Sequence, residues 1–316
     1  MDYSVIIPTH NRPDLVARAI RSVYAQTCPP TAVIVIDDAS QPPLVLPEDL
    51  RHGPTRIIRH ERSVGGAAAR NTGLRDARTS IVAFLDDDDE WMPRKMEVQL
   101  AWLREHPRAT LVTCGHLRCE GRREYLEVFS RRFVEEYRHY DNFFGSFSYL
   151  VIRRPASGIL LDPDLPALQD WDFALRVTRG NVFGVIEEPL VKYYAHDLPR
   201  ITNKPGNHLR GLRHCYLKHR LHFSPDARRW LLGRIIFERS RLISTPRKRL
   251  ARVALAIALA AGCRVPAIMK LRVIARRAAS LAVSPRTVIT IRSAAIANLQ
   301  RLRALFSYRR PSSLVT

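Results

Sequence analysis

Apolar residues in the first 120 positions follow two alternating rhythms. Tyr3 to Ile7, Ala32 to Ile36, Ser80 to Leu85 and Ala109 to Cys114 are short runs that are continuously apolar rather than alternating. That pattern suits strands buried on both faces of a parallel sheet. Between the first two, Val16, Ala19, Ile20 and Val23 recur at spacings of three and four, so residues 13–26 are predicted to form an amphipathic helix. Asn11 is its candidate cap, and Pro13 suits its first turn. A second helix is expected from Gly65-Gly66 through Ala67 to Ala77, and a third from Pro93 with Met96, Leu100 and Leu103 on its apolar face. Gln41 to Pro47 reads as a Pro-rich loop and Ile57-Ile58 as a short apolar pair. Strands alternating with helices at this spacing predict an α/β layered domain with a mostly parallel sheet.

Composition narrows the class. The chain has 316 residues, 46% of them apolar and 26% charged, which excludes disorder over most of its length. Cys28, Cys114, Cys119, Cys215 and Cys263 are an odd, scattered set without a CxxC pair, which argues against a disulfide framework and against a thiolate zinc site. A reducing cytoplasm is the expected compartment. The segment Met1 to Val5 has no basic, apolar leader pattern. The longest apolar run, Val253 to Gly262, is about half of the roughly 20 residues a membrane span needs. Neither secretion nor conventional membrane spanning is expected.

Charge divides the chain in two. Residues 1–199 carry a net −3 and residues 200–316 a net +24, with almost no Asp or Glu after Asp197. The boundary implied is a catalytic unit over residues 1–204 and a basic, mainly helical region over 205–316. Arg outnumbers Lys 45 to 6; a compositional bias explains Arg over Lys but not the missing acids.

Ligands of open α/β sheets bind outside the carboxyl ends of the strands. Three of the expected strands end in Pro8-Thr9-His10-Asn11, Asp37-Asp38 and Asp86-Asp87-Asp88-Asp89. Four adjacent aspartates repel one another, and a divalent cation with oxygen ligands turns that repulsion into coordination. The cation then attracts phosphate. Gly65-Gly66 ahead of a helix carrying Arg70 is able to present backbone donors and a cation to an anion, although packing explains the glycines equally well. Further on, Leu168 to Val177 opens a helix on Asp170 and Asp172, which point to nearly opposite sides, so one is expected to face a cleft while the other caps or meets solvent. The histidines are scattered, and His52 and His139 are expected on the surface.

Taken in order, Ser4 to Arg12, Val35 to Ser40, Gly66 to Leu74, Phe84 to Trp91 and Gln169 to Asp172 together closely resemble glycosyltransferase family 2 over about residues 3–200. The resemblance implies an α/β fold of the GT-A type and an inverting enzyme that uses nucleotide-diphosphate sugars. It implies that Pro8, Thr9 and Asn11 lie beside the nucleotide, that Asp38 binds the base, and that Arg70 approaches ribose or phosphate. Asp86 and Asp88 match the family's DxD element, the first near the ribose and the second at a Mn2+ or Mg2+ ion on the diphosphate. Asp87 lies between them at the donor, and a slip of one residue would make Asp87 and Asp89 the pair instead. Asp170 matches the catalytic base, and His196, in Tyr193-Tyr194-Ala195-His196, matches a histidine that reaches the metal or diphosphate. Gln169 stands where the family usually has Glu. Arg229-Trp230 is preceded by Asp226 rather than by the Gln of the QxxRW element of processive members, so single-sugar addition is expected rather than polymerisation.

In the basic region Ser224-Pro225-Asp226 should open a helix through Leu231, Leu232, Ile235 and Ile236. Lys270 to Ala282 is expected to be helical without an apolar stripe. Val288, Ile291, Ala295, Leu299, Leu302 and Phe306 form one stripe with Arg286, Arg292, Arg301 and Arg303 outside it, a basic amphipathic helix. Docking on an anionic membrane surface is the favoured reading, at the inner face of the cell membrane, with a glycan or lipid-linked glycan as acceptor. Packing against the catalytic unit is the rival, and nucleic acid is disfavoured because few aromatics interleave the arginines. Two other functions remain to be weighed: a nucleotidyltransferase on a similar sheet and a noncatalytic Arg-rich nucleic-acid binder.

Overall fold

The continuous apolar runs become strands buried on both sides, and the structure, a computed structural model, describes residues 1–154, 158–195, 206–243, 245 and 263. In chain order the elements are β1 (Tyr3–Thr9), α1 (Pro13–Tyr24), β2 (Ala32–Asp37), β3 (Thr55–Arg59), α2 (Gly66–Asp76), β4 (Ile81–Phe84), β5 (Glu90–Trp91), α3 (Lys95–Glu105) and β6 (Ala109–Glu120). They continue with β7 (Arg123–Glu127), α4 (Arg131–Tyr137), β8 (Val151–Arg153), α5 (Gln169–Val177), β9 (Val182–Tyr194), α6 (Asn207–His219) and α7 (Pro225–Arg241).

Among the described residues these strands form one nine-stranded sheet in the order β3-β2-β1-β4-β8-β6-β9-β5, with β7 paired to β6. β1, β2, β3 and β4 are parallel, and β8 runs antiparallel between β4 and β6. β6 and β9 are parallel to each other. Two antiparallel steps across β8 restore the direction, so β3, β2, β1, β4, β6 and β9 all present their carboxyl ends along one edge. Register places Thr9 beside Asp37 and Asp37 beside Arg59 in one row at that edge.

Alternation along each strand splits the core into two layers. Ile6, Ile34, Ile36, Val82 and Phe84 face α2, α5, α6 and α7, whereas Val5, Ile7, Val33, Val35 and Ala83 face α1 and α3. Each fully buried Val, Ile or Phe contributes about 1.5–3 kcal/mol, which explains why these positions are apolar without a break. Gly73 of α2 lies against Ile6, where an added Cβ would fall 2.5 Å from the Ile6 side chain. The glycine is thus what lets α2 approach the sheet.

Leu212, Cys215, Phe223, Trp230 and Leu231 of the basic region share the core layer of Trp171 and Phe173. Ser224 caps α7, its hydroxyl accepting from the Ala227 backbone N–H at 3.1 Å. The segments Lys270 to Ala282 and Arg286 to Phe306 lie outside the described residues. Among the described residues no helix is long and apolar enough to cross a membrane.

Two local expectations are corrected. Asn11 is not the cap of α1; Arg12 holds that position without a side-chain cap bond. Asn11 adopts a left-handed backbone (φ 55°), a conformation asparagine tolerates, and its side-chain oxygen accepts from the Gln41 N–H at 2.7 Å. His139 is not a surface residue: it is half-buried beside the Phe223 ring, and burial pushes its pKa down to about 4.

Candidate active site

The acidic run after β4 is spread in four directions, and its neighbours explain why. Asp86 accepts from an Arg70 guanidinium N–H and, at 2.8 Å, from the Ser146 hydroxyl. Asp87 accepts from the Thr9 hydroxyl at 2.8 Å and from Arg12 Nη1 at 2.9 Å. Asp88 Oδ2 lies 3.3 Å from the same Arg12 nitrogen, while Arg18 donates to the Asp88 backbone carbonyl at 2.8 Å. Asp89 is fully buried and accepts from the Ser148 hydroxyl at 2.6 Å and from the Tyr194 N–H at 3.4 Å. Burial, with the Asp88 charge beside it, pushes the Asp87 carboxyl up to about 6 despite Arg12. Asp86 is the most exposed of the three outer acids, at 25% of its side chain against 8% for Asp87 and 12% for Asp88.

Arg70 is set by its surroundings on α2. Its guanidinium lies 4.2 Å from the centre of the Phe147 ring, and a Cβ on Gly66 would come within 2.9 Å of its Nη1, so the glycine makes room for it. Its buried Nε has no hydrogen-bond partner among the described residues. A buried donor without a partner costs free energy until an acceptor arrives.

Asp38, just beyond β2, is a clasp for the chain that leads into α2. It accepts from His60 Nδ1 at 2.8 Å, the Ser63 hydroxyl at 2.8 Å, the Val64 N–H at 2.9 Å and the Gly65 N–H at 2.8 Å. These donors hold its carboxyl below the usual range against the opposing effect of burial. The backbone donors expected to greet an anionic ligand at Gly65-Gly66 are therefore partly taken by Asp38 itself. A nucleotide base bound by Asp38 would have to share oxygens that already receive four donors.

Asp170 opens α5 behind a left-handed Leu168 (φ 64°) and is half-buried. Burial pushes its carboxyl up to about 6; the Trp171 N–H, 2.8 Å from Oδ1, and the Arg70 charge pull it down, while the Asp86 charge raises it. Asp170, Asp86 and Arg70 thus act on one another electrostatically at one end of the sheet. Gln169 donates its side-chain amide to the Leu165 carbonyl at 2.8 Å, a bond an ionised glutamate has no hydrogen to make.

Asp172 points away from Asp170, as their spacing predicts, but it neither caps nor meets solvent. It is fully buried and receives Arg176 Nη2 at 2.8 Å, Lys218 Nζ at 3.1 Å and His219 Nε2 at 2.8 Å. These partners hold its carboxyl far below the usual range although burial pushes the other way. The network ties α5 to α6. Replacing Asp172 by Asn should destabilise the protein by about 3 kcal/mol, because cations assembled around a buried carboxylate lose their counter-charge. The midpoint of a thermal melt should fall by roughly 6–12 °C, and a fall under about 2 °C would contradict the assignment. Because the carboxyl is held low in the folded state, this contribution is present above the ordinary carboxylate range and fades as the pH drops below about 4.

The structure therefore brings Pro8, Thr9, Asn11, Asp38, Arg70, Asp86, Asp87, Asp88 and Asp170 to the carboxyl edge of the sheet and the helix starts above it. His196 lies outside the described residues. Arg12, Arg18, His60, Ser146 and Ser148 are partners that the sequence pattern does not single out. Arg12 closes the segment Ser4 to Arg12 but has no role assigned there, and the serines are about 60 residues from the acids they hold.

Comparison with known proteins bears on the family and the fold. Residues 4–157 match the family model described as glycosyl transferase family 2. The putative colanic acid biosynthesis glycosyl transferase WcaA of Escherichia coli is 27% identical over 248 residues, covering 72% of this chain and 85% of the relative. Among solved structures, Staphylococcus aureus TarS 1-349 in complex with UDP-GlcNAc superposes with a TM-score of 0.60 at 16% identity, covering 98% of this chain and 93% of that one. Mannosyltransferase PcManGT from Pyrobaculum calidifontis, in complex with GDP-Man and Mn2+, does so with a TM-score of 0.52 at 20% identity, covering 97% and 88%. With its strand-end motifs assembled in order on a GT-A sheet, residues 4–157 of the chain belong to glycosyl transferase family 2.

Proposed function

We propose that this protein is a glycosyltransferase that moves a single sugar from a nucleotide-diphosphate sugar to a hydroxyl of a glycan or lipid-linked glycan, with inversion, and that Asp170 is the general base. One observation carries the reading. A carboxyl pushed up to about 6, close to the pH at which a base must both hold and release a proton, stands within electrostatic reach of Asp86 and Arg70. The acceptor O–H gives its proton to the Asp170 carboxylate as its oxygen bonds to the anomeric carbon. The bond from that carbon to the diphosphate oxygen breaks on the opposite face, and its electron pair leaves with the nucleoside diphosphate. Arg70, with an unsatisfied buried Nε, supplies a donor to the phosphate or ribose.

The acids suit a hard divalent cation. Asp86 and Asp88 offer carboxylate oxygens, and the Arg12 guanidinium already stands against Asp87 and Asp88, a seat for positive charge. Among the described residues no three His, Cys, Asp or Glu side chains close into a cage. An ion of the Mg2+ or Mn2+ kind would be held by one or two of these carboxylates and completed by substrate phosphates. Asp88 would hold the ion, with Asp86 toward the ribose and His196 as a further ligand; the ion would withdraw charge from the departing diphosphate. The Asp86/Asp88 register is supported over Asp87/Asp89 because Asp89 is sealed in the core by Ser148 and Tyr194.

The similar structures name different nucleotides, UDP-GlcNAc and GDP-Man, so the likeness supports the donor class and not one base. A panel of nucleotide sugars with Mn2+ should contain one that raises the thermal midpoint and is turned over to a nucleoside diphosphate. Release of pyrophosphate instead would make the protein a nucleotidyltransferase. Indifference to every donor, together with nucleic-acid binding that falls steeply with salt, would make it a binding protein.

A further inference from the structure

The acidic run is already partly countered by the protein's own guanidinium groups. Arg70 covers Asp86, and one nitrogen of Arg12 stands 2.9 Å from Asp87 and 3.3 Å from Asp88. Arg18 binds the Asp88 carbonyl and pairs with Glu90 at 3.0 Å. Asp89 lies in the core, where it accepts from Ser148 and Tyr194. The groups that face Asp88 thus include two arginines of α1, Arg12 at its N-cap and Arg18 in its middle. Of these, Arg12 is the one whose charge lies on the Asp88 carboxylate itself.

Arg12 sits at the N-cap of α1 directly after the left-handed Asn11, and that turn directs its side chain across the end of β1 toward the acids. Its side chain is 23% exposed, so it is not sealed in the core. Asp87, by contrast, stays anchored by the Thr9 hydroxyl when Arg12 leaves.

We infer that Arg12 is a built-in cation occupying the seat of the divalent metal at Asp88, so that the donor-free protein holds the metal weakly and the ion takes the seat together with a nucleoside diphosphate. This inference rests on the metal reading above. The physical reason is competition for one carboxylate: a guanidinium and a divalent ion cannot both lie against Asp88 without repelling each other. A diphosphate reverses the balance by adding oxygen ligands for the ion and a new anionic partner for the displaced guanidinium. By linkage, whatever the nucleotide adds to metal affinity the metal adds to nucleotide affinity.

The test is titration of Mn2+ alone into the full chain, followed by the spectroscopic signal of free Mn2+, and then the same titration with saturating UDP or GDP. Arg12→Gln should bind Mn2+ alone about tenfold more tightly than the wild type, the low end of the decades by which a neighbouring cation alters a carboxylate's affinity for a proton. It should gain much less from the nucleotide. Arg12→Lys keeps a cation in place and should stay near the wild type, which separates charge from any general loosening of the turn. Unchanged or weaker binding of Mn2+ alone by Arg12→Gln, or equal tightening in both variants, overturns the inference while leaving Asp88 as a ligand. A wild type that binds no Mn2+ in any arm overturns the metal reading and this inference with it.

Discussion

Replacing Asp170 by Asn is expected to lower turnover by about a thousandfold, within the range that a positioned general base contributes, while donor affinity stays within about threefold. The amide keeps the size of the side chain and its hydrogen bond from the Trp171 N–H, but it has no lone pair basic enough to take the acceptor proton. The same residue predicts the acid limb of the pH profile. Because burial pushes the carboxyl up to about 6 in the donor-free protein, kcat/KM should fall about tenfold per pH unit below that value and level off above it. The groups that face Asp170 are Asp86, which raises it, and Arg70, which lowers it. Arg70→Gln should therefore move the limb to higher pH, an effect that a merely structural role for Asp170 would not produce. Steady-state rates over pH 4.5–8.5, with donor binding measured separately, check both claims. Retention of a tenth or more of wild-type turnover by Asp170→Asn would remove it from the base role.

Replacing Asp88 by Ala should weaken donor binding by about a hundredfold in the presence of Mn2+ and abolish the response to the metal, a loss typical of one electrostatic contact to a developing anion. Asp89→Ala should act differently. Its carboxylate is buried against Ser148 and Tyr194, so its loss should lower the thermal midpoint first and impair binding only through the fold. Calorimetric titration of the nucleotide with and without Mn2+, set beside the melting curve of each variant, separates the two. A metal response that survives Asp88→Ala but disappears in Asp87→Ala would shift the register of the pair by one residue.

The two halves of the site differ in how legible they are in the sequence. Strand-end acids and the helix that starts at Asp170 stand out because local rules govern them: a continuous apolar run must be a doubly buried strand, and the residues just after such a strand must emerge at the sheet's edge. The roles within the acidic run are not legible, since four identical neighbours differ only in the groups the fold sets beside them. Ser146 and Ser148 enter through a short turn after α4, 57 to 60 residues away in the chain from Asp86, Asp89 and Trp91, which they hold. Sequence spacing carries no trace of that contact. Asp172 departs from its expected capping or solvent role for the same reason. Two of its neighbours, Lys218 and His219, are on α6, 46 and 47 residues on, and only their arrival turns a first-turn acid into a buried hub.

By itself the amino-acid order determined the layered α/β class, the edge on which chemistry collects, and the residue types able to handle a proton and a phosphate. Periodicity and strand-end placement suffice for that, because burial of apolar surface is a local demand repeated along the chain. The tertiary structure alone decided which acid is clasped by an arginine, which is sealed in the core and which is left poised near 6. Those outcomes depend on desolvation and on charges brought together from distant segments, and neither exists until the chain has folded.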